Sequence, residues 1–118
     1  MPDDGRRPGE TAELRRLRRR IDALDRKLVA LLNERATLAR EAGHAKMAAG
    51  RTAVRDAERE REVLLRVTIA NEGPMPQADL LAMYRRLFAA TRALETRDRE
   101  RARRDGTGSA EDRGDEPT

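Results

Sequence analysis

The sequence predicts an all-α fold of three helices, and three observations point to it. Leu14, Leu17, Ile21, Leu24, Leu28, Leu31, Leu38 and Ala42 recur at alternating spacings of three and four residues. Two shorter segments, opening near Val54 and Pro76, repeat that periodicity, and NEGP (71–74) separates them. Leu, Ile, Val and Phe make up only about a sixth of the 118 residues, a thin core for a monomer, so a partner subunit is expected to supply the rest.

The first helix is expected over about 11–48. No proline interrupts the chain between Glu10 and Gly73, and AAGRTA (48–53) is the first plausible break. So long a helix needs a partner along its length. One step on its stripe is polar: four residues after Leu31 comes Arg35, before the stripe resumes at Leu38. Continuing by fours from Leu38 and Ala42 brings Lys46 to the same side. Arg35 and Lys46 lie about 16 Å apart along the axis, close enough for long side chains to converge on one small ligand. A structural ion pair for Arg35 and a solvated Lys46 explain the same pattern.

The second helix is expected over about 54–71, with Val63, Val67 and Ala70 on its apolar side. Tracing that side backwards reaches Glu60 and Asp56, with Arg59 beside them. Acids in a first turn also answer the helix macrodipole. The third helix, about 76–102, starts at a first-turn proline and turns Leu80, Tyr84, Leu87 and Phe88 inward, followed on that face by Thr91 and Glu95. A threonine there can bond back to its own helix. A buried carboxylate needs a partner or a proton. Residues 1–10 and 104–118 are polar, rich in Gly, Pro and acids, and are expected to be disordered.

Arg35, Lys46, Asp56, Arg59, Glu60, Thr91 and Glu95 thus place cations, acids and a hydroxyl on inward faces, as a site for a small, multiply charged, hydroxylated anion would. There is no cysteine, hence no disulfide or thiolate metal site, and no metal or cofactor is expected. No phosphate-binding loop or dinucleotide-binding glycine pattern occurs, and His44 reads as a surface residue. The chemistry expected needs no nucleophile. The net charge of +4 comes from 26 bases interleaved with 22 acids, and Arg outnumbers Lys 24 to 2. A basic coiled-coil or nucleic-acid-binding protein is the remote alternative, motivated by RRLRRR (15–20). Inward-facing acids and a lack of aromatic stacking platforms oppose it. The longest apolar run, Leu28 to Leu32, is too short to span a membrane, and with no secretory h-region the cytoplasm is the expected location.

LRRRIDALDRKLVALLNERATLAREAGHAK (17–46), VRDAERERE (54–62) and TRALE (91–95) resemble the all-α chorismate mutases of the AroQ class. The most specific parts are the LR…IDxLD…LL…ER segment, the Lys eleven residues after its Arg, and R-D-x-x-R-E. The resemblance covers about 80 residues. It implies three helices per chain interlocked as a six-helix homodimer, catalysing the rearrangement of chorismate to prephenate in phenylalanine and tyrosine biosynthesis without a cofactor. By the same resemblance Arg18 of the partner protomer and Arg35 hold the substrate carboxylates with Arg59 assisting, and Asp56 and Glu60 bind the ring hydroxyl. Lys46 donates to the ether oxygen of the breaking bond, Thr91 stands near a carboxylate, and Glu95 replaces the commoner Gln that shares the ether oxygen. Arg18 precedes Arg35 by about 25 Å along the helix and faces elsewhere, in keeping with service to the other protomer's site. A 4-amino-4-deoxychorismate mutase or an isochorismate-pyruvate lyase fits the same scaffold, and a regulatory partner enzyme is compatible with it.

Overall fold

The structure is a computed structural model and describes residues 8–51 and 54–113, with side chains up to residue 106. It contains three helices, α1 (Ala12–Ala48), α2 (Ala57–Ala70) and α3 (Gln77–Arg113), and no strand among the described residues. They form two compact units, one ending at Leu38 and the other beginning at Ala39.

The first unit is built on the N-terminal part of α1. Thr11 caps it, its hydroxyl accepting from the Leu14 amide at 3.0 Å. The expected apolar stripe is present, but in the single chain it lies open to water: Leu14, Leu17, Ile21, Leu24, Leu28, Leu31 and Leu38 are each 36–62% exposed.

The second unit holds the end of α1 with α2 and α3. Gly50, at φ +80°, ends α1 as a left-handed cap. Its amide donates to Met47 O at 3.0 Å and that of Arg51 to Lys46 O at 2.8 Å, the paired bonds that close a helix C-terminus. The chain therefore turns within a few residues of Lys46. Helix α2 begins at Ala57 rather than near 54, because Asp56 is its N-cap. It ends at Asn71, whose side chain donates to Met75 O and accepts from the Gly73 amide, both near 3 Å. Helix α2 packs on α3. The inward face expected for α3 is the one it buries: Leu80, Tyr84 and Leu87 are half-buried, and Phe88, Thr91 and Glu95 buried. Phe88, 6% exposed, is the buried apolar centre, with Tyr84 meeting it edge-on at 6.2 Å.

Helix α3 does not stop near 102 but runs to Arg113, through part of the segment expected to be a tail. TRDRERARRD (96–105) accounts for its extension to about residue 105, since its Arg, Glu and Ala propagate a helix and its charges alternate at helical spacing. Of the expected terminal tails, residues 1–7 and 114–118 lie outside the described residues, and Gly9 and Glu10 form the approach to α1.

Candidate active site

Three of the sequence-derived residues meet at the end of α1. Lys46, half-buried in the last turn, exerts its charge on both Asp56 at the head of α2 and Glu95 in the middle of α3. Their carboxyls are displaced in opposite directions. Asp56 accepts the Arg59 amide at 3.0 Å, and this cap bond is the largest influence holding it below the usual carboxylate range; Lys46 and Arg51 help, against some desolvation. Glu95 is 9% exposed. Burial pushes its proton affinity up, outweighing the opposing charges of Lys46, Arg99 and Arg92, and Asp98 adds to the rise. Glu95 therefore holds a proton more tightly than an exposed carboxyl would, while keeping three cations beside it.

Glu60 is half-buried one turn into α2. Arg92 of α3 donates to it, and Arg55 lies 3.6 Å away. Beside it on α3, the Thr91 hydroxyl donates to Leu87 O at 3.0 Å, so in this chain it bonds back to its own helix.

Of the other expected residues, Arg59 belongs to this unit and Arg18 and Arg35 to the first. Arg59 contributes its backbone amide to the cap, while its exposed guanidinium reaches along α2 to Glu62 at 3.3 Å. Arg18, in the first unit, pairs with Glu10 at 3.4 Å. Arg35, also in the first unit, is half-buried on the otherwise apolar stripe of α1.

Sequence reasoning missed three features of this region. Arg92 lies one position off the inward stripe of α3, and only tertiary packing brings it to Glu60, 32 residues earlier. Arg40 grips Asp98 through two hydrogen bonds of 2.9 and 2.8 Å, with His44 3.8 Å from the same carboxylate, tying α1 to α3 one turn beyond Glu95. Gly43 is the buried residue of α1, packed against Glu95. A glycine inside a long helical pattern was a visible signal for it.

The arrangement offers a cation whose charge acts on two acids, one held ionised and one with its proton affinity raised, with no nucleophile among them. Among the described residues no cluster of His, Cys, Asp or Glu could hold a metal ion, and no helix is long and apolar enough to cross a membrane. The family model for chorismate mutase type II matches residues 17–96. The chain belongs to that family. A bifunctional chorismate mutase/prephenate dehydratase of Aquifex aeolicus is 38% identical over 87 residues, which are 70% of this chain and 24% of that protein. The Escherichia coli K12 protein of the same description is 55% identical over 51 residues, 43% of this chain and 13% of its own. This chain thus spans about a quarter or less of the curated relatives it matches. A solved structure of chorismate mutase (Form II) from Thermus thermophilus superposes with a TM-score of 0.68 at 32% identity, covering 72% of this chain and 96% of that one. Form I from the same organism gives 0.64 at 30% identity, covering 67% and 98%. The all-α chorismate mutase fold expected from the motifs is the one this chain adopts.

Proposed function

We propose that this chain is a chorismate mutase, converting chorismate to prephenate as a homodimer with two shared sites. The observation that carries this reading is the chorismate mutase type II match over residues 17–96, with Lys46 acting by its charge on both Asp56 and Glu95, whose carboxyls are displaced in opposite directions. In an intramolecular Claisen rearrangement a C–O bond breaks as a C–C bond forms, so no group is attacked and no cofactor is required. What the protein must do is hold the enolpyruvyl arm over the ring and meet the negative charge that develops on the ether oxygen.

In the proposed mechanism Lys46 and protonated Glu95 both donate to that oxygen. Asp56 and Glu60 accept from the ring hydroxyl, Glu60 with its position fixed by Arg92. Arg35 and the partner's Arg18 clamp the two carboxylates, for which planar guanidinium groups are suited. Arg59 assists after leaving Glu62, and Thr91 lies near a carboxylate. Dimerisation is supported by the seven apolar residues of α1 that a single chain leaves in water. The cytoplasm is the proposed location on the metabolic class alone. The curated relatives are named for prephenate dehydratase as well as chorismate mutase. A dehydratase is accordingly the proposed consumer of the product and the proposed candidate for a regulatory partner.

The test is a direct spectroscopic assay of chorismate loss by the purified protein, with product identification and parallel trials of 4-amino-4-deoxychorismate and isochorismate. Prephenate formed from chorismate in preference to turnover of the other two is the expected result. Pyruvate release from isochorismate, or faster turnover of the amino compound, which Asp56 and Glu60 could also bind, would replace this reading with the corresponding alternative.

A further inference from the structure

Gly43 stands in the interior of α1, where glycine weakens a helix relative to alanine. It is nevertheless the place at which α1 and Glu95 touch. A Cβ built on Gly43 would lie 3.3 Å from Glu95 Cδ, 3.4 Å from Cγ and 3.6 Å from Oε1, so the first methyl group added would press on the carboxyl. There is little room for retreat. The pocket that the two residues line together with Arg40, Asp98 and Arg99 holds about 10 Å³, roughly the space of one water.

We propose that Gly43 is a positioning residue: by lacking a side chain it leaves a notch in α1 into which the Glu95 carboxyl packs, holding that carboxyl out of water within reach of Lys46. This rests on the reading of Glu95 as a donor in the rearrangement and adds what fixes it there. Desolvation is the leading influence favouring the protonated form of Glu95, and the notch is one wall of the desolvating surface. The charged groups around the carboxyl are Lys46 on α1 and Arg92, Asp98 and Arg99 on α3. From α2, Glu60 reaches Arg92, while Arg40 and His44 of α1 engage Asp98. Three of the four direct neighbours are cations. A carboxyl displaced from the notch towards water therefore ionises more readily.

The experiment compares four proteins: wild type, Gly43→Ala, Glu95→Ala and the double variant. Alanine at 43 should raise the melting temperature in the Glu95→Ala background, where the better helix former meets no obstacle, and should give no such rise when Glu95 is present. The Glu95 carboxyl, followed by carbon-13 NMR and assigned by its loss in Glu95→Ala, should titrate at lower pH in Gly43→Ala than in wild type. An equal rise in melting temperature in both backgrounds, or an unchanged Glu95 titration, overturns the proposal. If Gly43→Ala fails to fold while the double variant folds, the steric conflict with Glu95 is upheld; if neither folds, the obstacle is something other than Glu95 and the proposal falls. None of these readouts uses chorismate. A wild-type protein without chorismate turnover would sink the functional reading and leave the notch standing or falling on its own data.

Discussion

Two pulls act on the proton of Glu95, burial favouring it and nearby cations opposing it, and burial is the larger. The folded chain thus holds this proton more tightly than the unfolded chain, a contribution to stability that is complete below the ordinary value of 4.5 and lost as pH rises from there through the raised native value. Catalysis follows the same sign. Only the protonated group can donate to an ether oxygen, and the ionised one opposes the charge developing there. Activity should therefore fall as pH rises through the Glu95 ionisation, and Glu95→Gln, which donates at every pH, should flatten that limb in a pH–rate profile. An unchanged profile would put Glu95 outside the reacting shell. Lys46→Ala should lose far more kcat than affinity, by about 3 to 4 kcal/mol of barrier or roughly two to three orders of magnitude, since its charge is needed chiefly in the transition state. A change confined to KM would make Lys46 a simple anion anchor. Both residues were legible in the sequence because a polar side chain on an apolar stripe is visible one helix at a time. Arg92 was not, because what distinguishes it is a neighbour on another helix, and Gly43 showed only as a glycine within a helical pattern, without the neighbour that gives it meaning.

At the scale of the element, α2 shows how one residue can carry a structural and a ligand role together. Sequence periodicity places Asp56 on the inward stripe of a helix starting near 54, whereas it is the cap that starts the helix. The stripe and the cap are one position in space, which explains why the periodicity finds the residue and misses the boundary. The two roles separate by substitution. Asparagine caps a helix about as well as aspartate, while alanine does not. Asp56→Asn should keep the melting temperature close to wild type while weakening the grip on a hydroxyl that only an ionised acid holds strongly. Asp56→Ala should lose melting temperature as well. Thermal melts beside steady-state kinetics of both variants check this; equal stability loss in the two would mean that the negative charge, rather than the cap bond, supports α2. The end of α3 was the least legible boundary. Its later part has no apolar face to reveal it: the Arg, Glu and Ala of 96–105 favour a helix by propensity, and the Gly and Ser that follow gave no sign that it would run on to Arg113.

For the molecule as a whole, the question is what covers the stripe of α1. Fully burying a leucine contributes about 1.5 to 3 kcal/mol, and the stripe residues Leu14 to Leu38 are half-exposed or nearly so. A second copy of the chain that buried the remainder would gain several such contributions at once, ample for a stable pair. Arg18 lies on the same unit as this stripe, so an interface along α1 brings it to the partner. Its contact with Glu10 at 3.4 Å joins a half-exposed guanidinium to a largely buried carboxylate, and service to the partner's site requires Arg18 to leave it. If Arg18 serves the partner's site and Lys46 its own, the two defects can be sorted between sites. Arg18→Ala and Lys46→Ala chains should each be inactive alone. In a mixed dimer one site receives both lesions and the other neither, so mixing the inactive proteins under conditions of subunit exchange should restore activity. With random pairing of equal amounts, half of the dimers are mixed and each has one intact site, which sets recovery near a quarter of the wild-type rate. Exchange measured independently, by mass spectrometry of differently tagged chains, with no return of activity would show that Arg18 acts within its own protomer.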